Sequence, residues 1–259
     1  MKGFLVLFDD VITRESEMCV FPAARESSAL GENPWVVHLR MAMSSGTTLN
    51  SCAGSLIGQR WVLTSISCIT GRTFIWVRYG VVEVIRPSLV TETNAVQMNN
   101  ELGLALININ RNVEFTDVIS AVGIAGSGAA VPASGKFCGF GASESGGPGE
   151  NLACFNVNVE VQEDGTLVGQ SDELTRFDLG GALVVDGVQY GVLVEAGDRN
   201  VFVNPAVARE WIEDVTGIDL DDDDDSSDGD DSSEENGDGD DDGVEEVDDG
   251  VVSDVRFVD

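Results

Sequence analysis

The chain has 259 residues, and its 42% hydrophobic content suffices for the buried core of one large domain or two small ones. Its formal net charge of −32 is unevenly placed: residues 219–259 hold 21 of the 46 acidic residues and a single basic one, Arg256. A field this negative repels nucleic-acid phosphates and anionic lipid and attracts cations and basic proteins, and no run approaches the ~18 apolar residues of a membrane span, so nucleic acid and membrane are excluded as partners.

The first eight residues, Met1-Lys2-Gly3-Phe4-Leu5-Val6-Leu7-Phe8, begin like a secretory signal, but Asp9 and Asp10 end the apolar run short of the ~7–15 residues such a region needs. Five cysteines make an odd count. Cys52 and Cys68 are close enough in sequence to suggest a local bridge, as are Cys138 and Cys154; Cys19 is left over, either for an intermolecular partner or as a free thiol. From Trp35 to Val203, short apolar or alternating runs such as Trp35-Val36-Val37-His38-Leu39, Phe74-Ile75-Trp76-Val77 and Phe155-Asn156-Val157-Asn158-Val159 are punctuated by Gly, Asn and Ser. Many short strands joined by turns are expected, hence an all-β barrel or sandwich. One helical pattern follows over 204–215, with Val207, Trp211, Ile212 and Val215 on one face and Gly217 as the stop. From Asp221 onward there is no apolar periodicity, and self-repulsion predicts disorder through to a frayed end at Val251, Val252, Val255, Phe257 and Val258.

A succession of motifs in order along the chain resembles the chymotrypsin/trypsin-like serine proteases. Cys52-Ala53-Gly54-Ser55-Leu56-Ile57 with Arg60-Trp61-Val62-Leu63-Thr64-Ser65-Ile66-Ser67-Cys68 is similar to that family's catalytic histidine block. Pro34-Trp35 resembles the first strand of the N-terminal barrel, and Asn99-Asn100-Glu101-Leu102-Gly103-Leu104 the segment of the catalytic aspartate. Phe115-Thr116-Asp117 resembles the connection to the second barrel, and Gly139-Phe140-Gly141 the Gly-Trp-Gly strand opening it. Phe177-Asp178-Leu179-Gly180-Gly181-Ala182 resembles the nucleophile loop, and Ala208-Arg209-Glu210-Trp211-Ile212 with Thr216-Gly217-Ile218 the closing helix, in a form common among insect members. The resemblance implies two antiparallel β-barrels with a C-terminal helix over residues 30–218, an N-terminal segment 1–29 before them and the acidic tail 219–259 after. Only 40 residues lie between Cys138 and Leu179, so the second barrel is expected to be trimmed. The resemblance also supports the Cys52–Cys68 pair, whereas Cys138–Cys154 rests on proximity alone.

The family's mechanism needs a hydroxyl nucleophile, an imidazole to take its proton and a carboxylate to hold that imidazole. The matching positions hold Leu179, which has no nucleophilic atom, Ser67, which has no basic group, and Glu101, one methylene longer than aspartate. The oxyanion position, a glycine in the family, is Phe177, a side chain expected to crowd the cleft. The Ile-Val-Gly-Gly start of an activated member is absent, so Asp178 is expected either to meet another cation, as a structural salt bridge, or to stay in a zymogen-like arrangement. At the specificity pocket the base position is Glu173, with Thr175 and Val194-Glu195-Ala196 in place of the usual lining. Two decoys read as structural. Glu144-Ser145-Gly146-Gly147-Pro148 imitates a nucleophile motif but sits in a glycine-rich stretch with no base to serve Ser145, and His38, the single histidine, lies in the first-strand pattern.

Asp238, Asp240, Asp242 and Asp249 fit the spacing of a calcium loop, but without flanking helices a diffuse, weak polyanion is the expectation; Ser227, Ser232 and Ser233 lie in contexts acidophilic kinases favour. Non-catalytic serine protease homologues are secreted. The likeness therefore implies a binding or regulatory protein without cofactor that engages a protein partner, such as an active protease or a basic protein, in a protease or immune cascade. The alternative is an extracellular polyanion whose tail binds calcium, mineral or basic proteins.

Overall fold

The computed structural model describes residues 25–43 and 49–220. Cys19, the leader-like start and the tail with Asp238, Asp240, Asp242 and Asp249 lie outside the described residues.

Alternation of apolar and polar side chains builds the first sheet. In β2 (Val36–Met43), Val37, Leu39 and Met41 point inward while His38 and Arg40 point outward; in β5 (Arg72–Tyr79), Ile75, Val77 and Tyr79 point inward and Phe74, Trp76 and Arg78 outward. With β3 (Leu49–Gly58), β4 (Trp61–Ser65), β6 (Leu89–Thr93), β7 (Val96–Asn99) and β8 (Leu104–Asn108), these strands form an antiparallel sheet in the order β6-β5-β2-β3-β4-β8-β7 around that core. Between β4 and β5, the single turn α1 (Ile66–Ile69) is capped by the Ser65 hydroxyl, which accepts from the Ser67 amide.

The second sheet closes on itself. Strands β10 (Ser134–Gly139), β11 (Ala153–Val161), β12 (Leu167–Gln170), β13 (Ala182–Val185), β14 (Val188–Glu195) and β15 (Asn200–Val203) pair in a ring, the β11–β12 ladder completing it. Phe137, Phe155, Val157, Leu167, Leu193 and Phe202 fill its interior. Two-residue strands β1 (Glu26–Ser27) and β9 (Gly123–Ile124) attach to β11 and β14. The two barrels meet over a third core in which Ile57, Leu63 and Leu106 face Ala182, Val184 and Val192. Burying each such side chain stabilises the fold by about 1.5–3 kcal/mol, so the junction is itself a core.

Both expected disulfides form, Cys52–Cys68 and Cys138–Cys154, the latter across directly opposed residues of β10 and β11. The C-terminal segment departs from the expected single helix. Pro205–Ala208 is a 3-10 turn, α2 (Arg209–Thr216) starts only after it, and the change of winding leaves Val207 66% exposed while Ala208 and Ile212 are buried against the junction. Gly217, in the left-handed conformation with φ 70°, ends the helix as its position suggested.

Candidate functional site

The positions that correspond to a catalytic triad come together where the barrels join. Ser67 is exposed on α1, its Oγ 2.9 Å from Ser65 Oγ and donating to the Val194 carbonyl of β14 at 3.3 Å. The turn between β7 and β8 that carries Glu101 is tied to α1 by the Ile66 amide donating to Gly103 O at 2.9 Å. Glu101 itself is exposed and makes no hydrogen bond or ion pair among the described residues. Leu179 is held from the other barrel, its carbonyl accepting from the Ala53 amide at 2.9 Å. Its side chain packs against the cores of both barrels, so the nucleophile position is occupied by an apolar bridge between them.

The loop around Leu179 has committed its polar groups. The Phe177 amide, at the oxyanion position, donates to Thr175 Oγ1 at 3.3 Å, and the Phe177 ring is buried with the Arg176 guanidinium stacked over it at 4.7 Å. Gly180 has φ +81°, and a Cβ there would overlap Thr64 Oγ1 and the Ala53 carbonyl. The loop can therefore lie this close to the first barrel only with glycine.

Asp178 is fully buried. One oxygen accepts from the Gly141 amide at 2.8 Å, and the other from the Thr175 amide and hydroxyl, both at 2.9 Å. The same oxygen meets Nη2 of Arg25 at 2.5 Å, so the open question over Asp178 resolves as a structural salt bridge. The guanidinium also donates to Glu173 O at 2.7 Å and Gly139 O at 3.3 Å, and rests on the Phe155 ring at 4.8 Å. Glu173 turns its carboxylate toward Arg25 Nε at 3.6 Å; the residue at the pocket-base position thus serves this cation. Arg25 belongs to none of the motifs in the sequence. Its one signal was to be a cation upstream of a barrel containing an aspartate that needed one.

Neither decoy joins the site. His38 is buried on β2, where Nε2 lies 2.7 Å from Ser51 Oγ and Arg78 Nη1 donates to Nδ1 at 3.3 Å. Because arginine can only donate, Nδ1 is the acceptor, and the single ring proton of the neutral imidazole sits on Nε2, which donates to Ser51 Oγ. Burial above all, then the charges of Arg78 and Arg40, push its pKa down to about 3. Ser145 sits in the loop after β10, where the Ser143 amide donates to Gly147 O at 2.8 Å and Ser145 Oγ lies 3.0 Å from Ser143 Oγ. Among the described residues no group of three or more His, Cys, Asp or Glu could hold a metal ion.

A family model described as Trypsin matches residues 24–212. Over 49 residues the chain is 39% identical to phenoloxidase-activating factor 3 of Holotrichia diomphalia, covering 19% of this chain and 14% of that relative. The chain thus spans about a seventh of that protein's length. Among solved structures, HL collagenase is similar with TM-score 0.64 at 20% identity, covering 75% of this chain and 98% of the collagenase. Human heparin binding protein is similar with TM-score 0.63 at 21% identity over 75% and 96% of the two chains. A scabies mite inactivated protease paralogue gives TM-score 0.65 at 16% identity over 74% and 96%. These likenesses show the same two-barrel fold, and with the family match over most of its length the chain belongs to the trypsin family.

Proposed function

We propose that this trypsin-family protein is catalytically silent and acts by binding, as a regulatory component of an extracellular protease cascade. The observation that carries the reading is Leu179 packed into both barrel cores at the nucleophile position. Two others support it. The chain's single histidine is engaged with Ser51 and Arg78 on β2, and the amide at the oxyanion position is spent on Thr175. Without nucleophile and base the family's acyl transfer has no first step. The short match to phenoloxidase-activating factor 3 and the paired cysteines favour an extracellular cascade as the setting.

The test is incubation of the purified full chain with peptide and ester substrates and with a serine-directed phosphonate. No turnover and no labelling are expected; stoichiometric labelling would overturn the proposal.

A further inference from the structure

The register of the first sheet sets two cross-strand rows on its outer face. Ser51, Arg40, Trp76 and Glu92 form one row across β3, β2, β5 and β6, and Ala53, His38, Arg78 and Val90 form the next. Arg40 and Arg78 are diagonal neighbours on adjacent strands, which places them about 7–8 Å apart. Both are half-buried, as is Trp76 between them, whose ring is 4.9 Å from Phe74.

Neither arginine ends in an ion pair among the described residues. The partner of Arg78 is the uncharged imidazole of His38, and Glu92, the carboxylate in the Arg40 row, instead accepts from Trp76 Nε1 at 3.0 Å. Residues 25–220 hold 22 acidic and 11 basic side chains, a net −11, so carboxylates are abundant and yet none is brought to this pair. Two like charges side by side and partly desolvated repel, and an external anion relieves that repulsion.

Carboxylates suit the pair, because alternate residues of an extended chain lie about 7 Å apart on one side, close to the diagonal spacing of the two arginine positions, and each carboxylate can take one guanidinium. A sulfated polysaccharide matches it less well. Its regularly repeated sulfates need a long track of cations, whereas the register supplies one arginine pair beside an aromatic ring. We propose that Arg40, Trp76 and Arg78 form a docking surface for an extended acidic segment of a partner protein, with two carboxylates two residues apart on the guanidiniums and an apolar side chain on Trp76. This deepens the binding reading above and rests on it.

The experiment uses the full chain and a fluorescein-labelled twelve-residue peptide alternating Asp-Gly-Asp with Leu, followed by fluorescence anisotropy at low and moderate salt. Saturable binding is expected, weakened by salt, at least about ten-fold weaker for Arg40→Glu and for Trp76→Ala, and absent for the same peptide with Asn for Asp. Arg40→Gln, which removes charge with little change of shape, keeps the test decisive where a reversal perturbs folding, and the melting curve of each variant is recorded. Three results overturn the proposal: no binding to the wild type, binding unchanged in both Arg40 variants, or a sulfated polysaccharide that binds more tightly than the peptide with the same sensitivity to Arg40. Substrate hydrolysis, measured on the same samples, would sink the silent-homologue reading alone, so the two failures are distinct.

Discussion

Arg25 and Asp178, 153 residues apart in sequence, meet at 2.5 Å with side chains 16% and 0% exposed. The buried carboxylate of the nucleophile loop is thereby neutralised by an internal side chain, that of the residue just before β1, whose pairing with β11 holds this segment in place. Removing one partner leaves a buried charge uncompensated. Arg25→Met should therefore lower stability by about 3 kcal/mol in urea titrations, and the double variant with Asp178→Asn should recover part of that loss. Additive losses would show that the pair is not coupled.

Gly139 gives this ion pair its space, since a Cβ there would overlap Asp178 Oδ1. Gly139→Ala should therefore lower the melting temperature strongly, by displacing the carboxylate from the Gly141 amide. Gly126, where a Cβ meets nothing within 4 Å, is the control, and its alanine variant should melt within a few degrees of the wild type. Equal melting of the two variants would contradict the packing described.

Leu179→Ser puts the family's nucleophile back and removes an apolar bridge between two cores. We expect a loss of roughly 1–3 kcal/mol in stability and no gain in hydrolysis, because Ser67 supplies no base. Measurable proteolysis by this variant would reveal a base other than the expected imidazole.

His38 is held neutral in the folded state with a pKa of about 3, below the ordinary histidine value of 6.5, chiefly because it is buried. Between these values the unfolded chain binds a proton that the folded chain does not, so stability from this group is complete above about pH 6.5 and falls as pH drops toward 3. The slope is at most about 1.4 kcal/mol per pH unit. Denaturation midpoints measured from pH 6.5 to 5, above most carboxylate titration, should decline for the wild type and less for His38→Gln. Parallel profiles would assign the decline to other groups.

Much of the architecture was legible in the sequence because its causes are local. Alternation in Val37, Leu39 and Met41 specifies which face of β2 is buried, and the Cys52 and Cys68 motifs carry the family resemblance whatever surrounds them. Ser67, Glu101 and Leu179 could be named because each sits at a fixed place within such a motif, and the structure gathers them at the barrel junction. Val207 departs from the face that a continuous α-helical period assigns it, because the tighter winding of Pro205–Ala208 turns it to solvent. Arg25 carries no motif. That it answers Asp178 depends on β1 pairing with β11 and on clearance at Gly139 and Gly141, contacts between segments distant in the chain. The same holds for Arg40, Trp76 and Arg78, which look like scattered outward residues of two strands until the register of β2 on β5 sets them side by side. Strand identity follows from local periodicity, but which side chains share a face and which charges are left unpaired is decided by register and barrel docking, and these exist only in the folded chain.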